Sequence, residues 1–225
     1  MKTSYLIIVI LALALVFTTY KLVAGSGKSE PTSGESDGIS GATAKMATET
    51  AYKAIMTRTS VRSYSDKAVS DEAVDSLLRA AMAAPTAMNL RPWQFVVIRD
   101  RSILDSIASN CRNISMAKEA QLAIAVCGDL DIAAKDAGRE YWIQDCSAAT
   151  ENLLVAANAM GLGAVWCGIY PMTDRVEFIS NLLNLPSNYI PLNIIPIGYP
   201  SAATTPKDKY DASRIHTDRF QADNK

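Results

Sequence analysis

Between Arg139 and Met160 the residues Trp142, Ile143, Cys146, Ala149, Leu153, Ala157 and Met160 recur at helical spacing, and Gly161 follows at once. A stripe kept on one face for so many turns demands a broad apolar surface to pack against, and the glycine supplies the stop. Short apolar runs of strand character flank it: Gln94 to Ile98, Leu122 to Cys127, Ala164 to Cys167 and Ile190 to Ile197. Shorter helical patterns fill the intervals at Ala47 to Met56, Asp71 to Ala83, Ser102 to Ala108 and after Thr173, the second opened by Ser70 as N-cap. This order predicts an α+β domain over residues 48–225, with a central mixed sheet wrapped by helices. With 225 residues, 49% of them hydrophobic, the chain can bury one substantial core.

The first 47 residues have a different character. Lys2 precedes an unbroken apolar run from Leu6 to Phe17, and Ala24-Gly25 ends the segment. Residues 1–24 therefore read as a signal peptide or a membrane anchor: from Tyr5 to Ala24 there are about 20 residues, or about 30 Å of helix, enough to cross a bilayer. Residues 25–47 read as a flexible linker; its stretch from Gly25 to Gly41, rich in Gly, Ser, Glu, Asp and Lys, has an r.m.s. span of roughly 20 to 25 Å. The expected location is outside the cytoplasm, membrane-anchored or periplasmic.

Several functions are excluded early. A net charge of −1 gives no basic field for nucleic acid. The lone His216 argues against serine-histidine hydrolysis and histidine-rich metal sites. Cys111, Cys127, Cys146 and Cys167 lack metal-type spacing, and Cys127 and Cys146 read as small core residues. Trp93, Phe95 and Trp166 read as core aromatics. No nucleophile–base pair is visible, an absence that fits chemistry carried by a bound cofactor.

Within the linker, Asp37 to Thr43 read Asp-Gly-Ile-Ser-Gly-Ala-Thr. The pattern resembles the acceptor site that a flavin transferase modifies in the flavin subunits of sodium-pumping quinone reductases. That resemblance implies a covalent FMN on Thr43, attached by a phosphodiester bond. Gly41 and Ala42 leave the hydroxyl uncluttered for in-line phosphoryl transfer.

Four further segments form an ordered set: Arg58-Thr59-Ser60-Val61-Arg62-Ser63-Tyr64, the run from Ala84 to Phe95 containing Pro85-Thr86-Ala87-Met88-Asn89, the run from Gly161 to Gly168, and Pro206-Lys207-Asp208-Lys209. The arginines and small hydroxyls of the first suit a phosphate and a polyol. In order and spacing the set resembles the nitroreductase family from about Tyr52 onward. The resemblance implies an intertwined homodimer with a noncovalent FMN in each interface site. By matching position, Arg58, Ser60 and Arg62 hold the ribityl-phosphate and the pyrimidine edge, and Lys207 and Lys209 complete the phosphate site. Pro85, Thr86, Ala87 and Asn89 reach in from the partner subunit. Asn113 faces the ring, and Gly168, with the backbone of Cys167, lies near flavin N5.

Two positions depart from relatives: Met116 stands where some carry a flavin-facing lysine, and Cys167 where some carry an acid. Outside the cytoplasm free nicotinamide nucleotide is scarce, so electrons are expected from a membrane donor by way of the Thr43 flavin. The acceptor is expected to be a small nitroaromatic, quinone or activated alkene. The alternatives are a flavin electron carrier without a substrate of its own, and an NAD(P)H-dependent nitroreductase anchored facing the cytoplasm.

Overall fold

The computed structural model describes residues 50–220. The leader, the linker and Thr43 lie outside the described residues, as does the start of the helix expected from Ala47.

Every residue of strand β2 (Leu122–Asp129) is buried, which makes it the middle of the sheet. Its side chains alternate between two cores, as a strand's must. Leu122, Ile124 and Val126 enter one with Trp93, Ile195 and Ile197. Ala123, Ala125 and Cys127 enter the other with Ile98 and Ile194. Strand β1 (Trp93–Ile98) pairs with β2 on one side, antiparallel, from Trp93 opposite Gly128 to Ile98 opposite Ala123. On its other side β2 pairs antiparallel with β5 (Tyr189–Gly198), with an irregularity between Val126 and Cys127.

The far edge of β5 carries two short strands, β3 (Gly163–Ala164) and β4 (Cys167–Gly168). One continuous strand was expected over Ala164 to Cys167; Val165 and Trp166 instead interrupt it, opposite Ile195 and Pro196. A proline has no ladder N–H to offer. Trp166 consequently turns outward and is 36% exposed, which corrects its reading as core. All the named strands pair antiparallel, and among the described residues the parallel element is a single bridge from Ser60 to Ala164.

Helices cover both faces. On one lie α2 (Asp71–Met82) and α4 (Tyr141–Ala159), contributing Leu77, Ala81, Cys146, Ala149, Leu153 and Ala157. Ser70 caps α2 by accepting from the Ala73 N–H at 3.2 Å. Gly161, at φ +73, ends the α4 region in the left-handed conformation that a glycine adopts without strain. On the other face lie α3 (Arg101–Asn110), capped by Asp100, and α5 (Thr173–Leu182). A 3-10 segment, Arg112–Lys118, links α3 to β2. Helix α1, residues 50–57, buries only Ala54 and is held by the Asn158 amide, which donates to Ala54 O at 2.9 Å. All four cysteines are free and buried.

Candidate functional site

Residues 58–64 run along β3, and their geometry follows from one close approach. A Cβ built at Gly163 would lie 2.6 Å from Val61 Cγ1, so only glycine lets Val61 sink to 7% exposure. The Val61 N–H donates to Ala164 O at 3.1 Å. With Val61 turned in, its neighbours Ser60 and Arg62 turn out and are exposed. Tyr64 locks the segment: its buried hydroxyl donates to Val61 O at 2.8 Å, with Pro196 O at 3.1 Å as the other acceptor. Burial, the larger cause, pushes this phenol well above its ordinary range. Arg58 Nε pairs with Glu151 on α4 at 3.2 Å, holding a largely buried guanidinium in place. Its remaining N–H groups stay available as donors.

Strand β4 brings the next group together. Gly168 is half-buried, and a Cβ built on it would meet nothing within 4 Å, so the backbone here borders open space. Asn113, on the 3-10 segment, donates to Gly168 O at 3.2 Å. Arg175, in the first turn of α5, donates to the same oxygen at 3.3 Å. The Cys167 thiol lies 3.9 Å from the Met116 sulfur. Burial raises that thiol from 9.0 to about 11, and Arg62 opposes the shift, which places a positive charge within electrostatic reach of β4. Cys167 is therefore a neutral, soft wall at neutral pH, and an unreactive one.

Other expected site residues stand apart. No hydrogen bond or ion pair joins Pro85, Thr86, Ala87 or Asn89 to this group. They belong to a tight loop after α2 in which Met88, Asn89 and Arg91 have φ of 51, 56 and 54. For side chains without a glycine's freedom this is a strained conformation. The loop is clamped from within by Thr86 Oγ1, which accepts from Arg91 N at 3.1 Å, and from α4 by Asp145 Oδ1, which accepts from Ala87 N at 2.8 Å. Asp145 is 5% exposed and its other oxygen has no partner among the described residues; a cleft of about 360 Å³ opens there between Pro85, Ala87, Tyr141 and Gln144. Lys207 and Lys209 are exposed on a C-terminal segment that leaves the sheet beside Ser63, where Ser201 N donates to Ser63 O at 3.2 Å.

Sequence reasoning did not single out Glu151, Asp145 or Arg175. Each acts through a contact between elements that no local pattern announces. The one available signal was a charged residue among the buried positions of α4, at Asp145.

The comparisons bear on the family and the fold. The model of the Nitroreductase family matches residues 55–123 and 108–199. A Methanothermobacter thermautotrophicus protein named NADH dehydrogenase/NAD(P)H nitroreductase is 44% identical over 168 residues, 75% of this chain and 86% of its own. A solved structure of the same name from Parabacteroides distasonis superposes with a TM-score of 0.72 at 45% identity, covering 76% of this chain and 98% of that one. A nitroreductase from Desulfovibrio desulfuricans, solved in complex with FMN, superposes at 0.64 with 31% identity, covering 76% of this chain and 98% of that one. With sheet, helical layers and sequence in agreement, this chain belongs to the nitroreductase family and is an FMN-dependent oxidoreductase.

Proposed function

We propose that the protein is an exported, membrane-anchored or periplasmic homodimer that reduces a small acceptor, a nitroaromatic, quinone or activated alkene, with electrons entering through an FMN bonded to Thr43. The observation that carries the FMN site in this reading is the open backbone at Gly168, with Asn113 fixed beside it and Arg62 in electrostatic reach.

The residues fit FMN. Arg58, Ser60 and Arg62 offer guanidinium and hydroxyl donors to a phosphate and polyol, and Gly168 leaves room for a flat ring against the backbone. When bound, FMN supplies the hydride or electron transfer itself. The chain's own residues bind and orient it. The Gly168 N–H would be offered to N5, Asn113 would face the ring, and the Cys167–Met116 pair would keep one wall apolar.

A second copy completes the site. From 201 to 220 every residue is exposed, including Tyr210 at 75%, Ile215 at 60% and Phe220 at 78%, and α1 exposes Tyr52, Ile55 and Met56. Apolar surface of this extent calls for a partner. A second copy would cover it, present Pro85, Thr86, Ala87 and Asn89 to the first copy's flavin, and bring Lys207 and Lys209 to the phosphate.

The Thr43 assignment rests on the sequence pattern of the linker. Thr43→Ala in cells that make the flavin transferase is expected to abolish flavin fluorescence on a denaturing gel while leaving releasable FMN in place. Unchanged covalent fluorescence refutes the anchor. A second reading, electron supply by NAD(P)H with the domain facing the cytoplasm, is favoured by the names of the relatives. Rapid NADPH oxidation by the purified protein supports it over a membrane donor.

A further inference from the structure

Gly168 O accepts from two donors at once, and one of them is a permanent cation. Arg175 reaches it from α5 at 3.3 Å, while Asn113 reaches it from the 3-10 segment at 3.2 Å. A guanidinium stays charged at any working pH. This one is half-buried and has no ion-pair partner among the described residues. Its neighbour Asp174 is exposed and makes no ion pair with it. The Arg175 charge is felt nearby: burial pushes the Cys111 thiol up, Arg175 pulls it back, and Asp174 works against Arg175. Cys167 stands in the same buried cluster as Cys111, with Met116 packed against it, and both are neutral and sulfur-bearing. Arg62 is the cation whose charge reaches the Cys167 thiol.

We propose that Arg175 is a positioning residue for the flavin site that also sets its charge. With Asn113 it pins the Gly168 backbone, and its guanidinium favours the reduced, negatively charged form of FMN over the oxidised form. The inference rests on the reading that places FMN against Gly168. Its physical basis is differential: a fixed cation behind the Gly168 carbonyl would stabilise a charged ring more than a neutral one.

The test uses full-length protein carrying Thr43→Ala, so that only releasable FMN reports. Affinity for oxidised FMN, midpoint potential and thermal midpoint are measured with Arg175 intact and in Arg175→Met and Arg175→Lys. In Arg175→Met the affinity for oxidised FMN is expected to change less than about threefold. Binding of reduced FMN is expected to weaken about tenfold relative to oxidised, a potential lowered by about 30 mV for a two-electron couple. Arg175→Lys, which keeps the charge, is expected to recover most of the shift.

An unaltered potential in a folded, FMN-loaded Arg175→Met overturns the assignment. So does equal loss of both FMN forms that Arg175→Lys does not rescue, or loss of folding in both variants, since either gives the side chain a structural role only. Absence of releasable FMN from the protein with Arg175 intact overturns this inference together with the functional reading beneath it.

Discussion

Asp145 shows how one residue can govern a loop it does not belong to. Its Oδ1 holds the Ala87 N–H at 2.8 Å across 58 positions of sequence, and the loop it holds contains three left-handed residues other than glycine. Such conformations persist only where the surroundings over-determine them. Asp145→Ala is expected to cost about 1–3 kcal/mol in chemical denaturation, because the Ala87 N–H loses its acceptor. It is also expected to weaken FMN binding in the dimer. Asp145→Asn keeps an acceptor oxygen and should recover most of the stability; equal losses in the two variants would contradict the clamp.

The buried thiols make a second prediction at this scale. Cys167 and Cys127 are raised from 9.0 to about 11 and about 12, mainly by burial. Above pH 9 the unfolded chain releases these protons while the folded chain keeps them, so the unfolded state binds fewer protons and stability falls as pH rises. Their contribution is complete below pH 9 and declines between 9 and 12. Urea midpoints measured across that interval should fall more steeply for the natural chain than for Cys167→Ala.

Among the elements, β3 and β4 carry the sharpest contrast, because two glycines in equally short strands do opposite work. Gly163→Ala drives a methyl to 2.6 Å from Val61 Cγ1, an overpacking expected to cost about 1–3 kcal/mol. Gly168→Ala meets open space and should leave folding within about 0.5 kcal/mol. It should nevertheless weaken FMN binding by about tenfold or more, or about 1.4 kcal/mol, by crowding the ring. Thermal midpoints and FMN titrations of the pair decide it; strong FMN binding by Gly168→Ala would remove the ring from that position.

Legibility in the sequence also divides by element. Helix α4 was readable from its stripe, and β2 from an apolar run buried on both faces. The break at Val165-Trp166 was not, because Ala164 to Cys167 is continuously apolar and the interruption lies opposite Pro196 on a distant strand. Arg58, Ser60, Arg62 and Gly168 were named from an ordered set of local patterns, and Asn113 by matching position, as expected cofactor contacts. Arg175 was not: its partner is a backbone carbonyl, which leaves no trace in residue type.

For the whole molecule, the issue is where half of the site comes from. The loop from Pro85 to Asn89 and the exposed stretch from 201 to 220 have no role in completing the group around Gly168 within one chain. A partner copy would give both a purpose, and the exposed Tyr210, Ile215 and Phe220 a surface to cover. Removing residues 201–225 is therefore expected to yield monomers in sedimentation velocity and to abolish noncovalent FMN retention. A truncated chain that stays dimeric would shift the interface elsewhere, to α1 and α4.

Native mass spectrometry of the full-length protein, purified from envelopes of cells that make the flavin transferase, bears on all of this in one spectrum. Two chains carrying four FMN groups are expected, two lost on denaturation and two retained. A monomer without flavin, or a dimer whose chains carry none, would contradict the account.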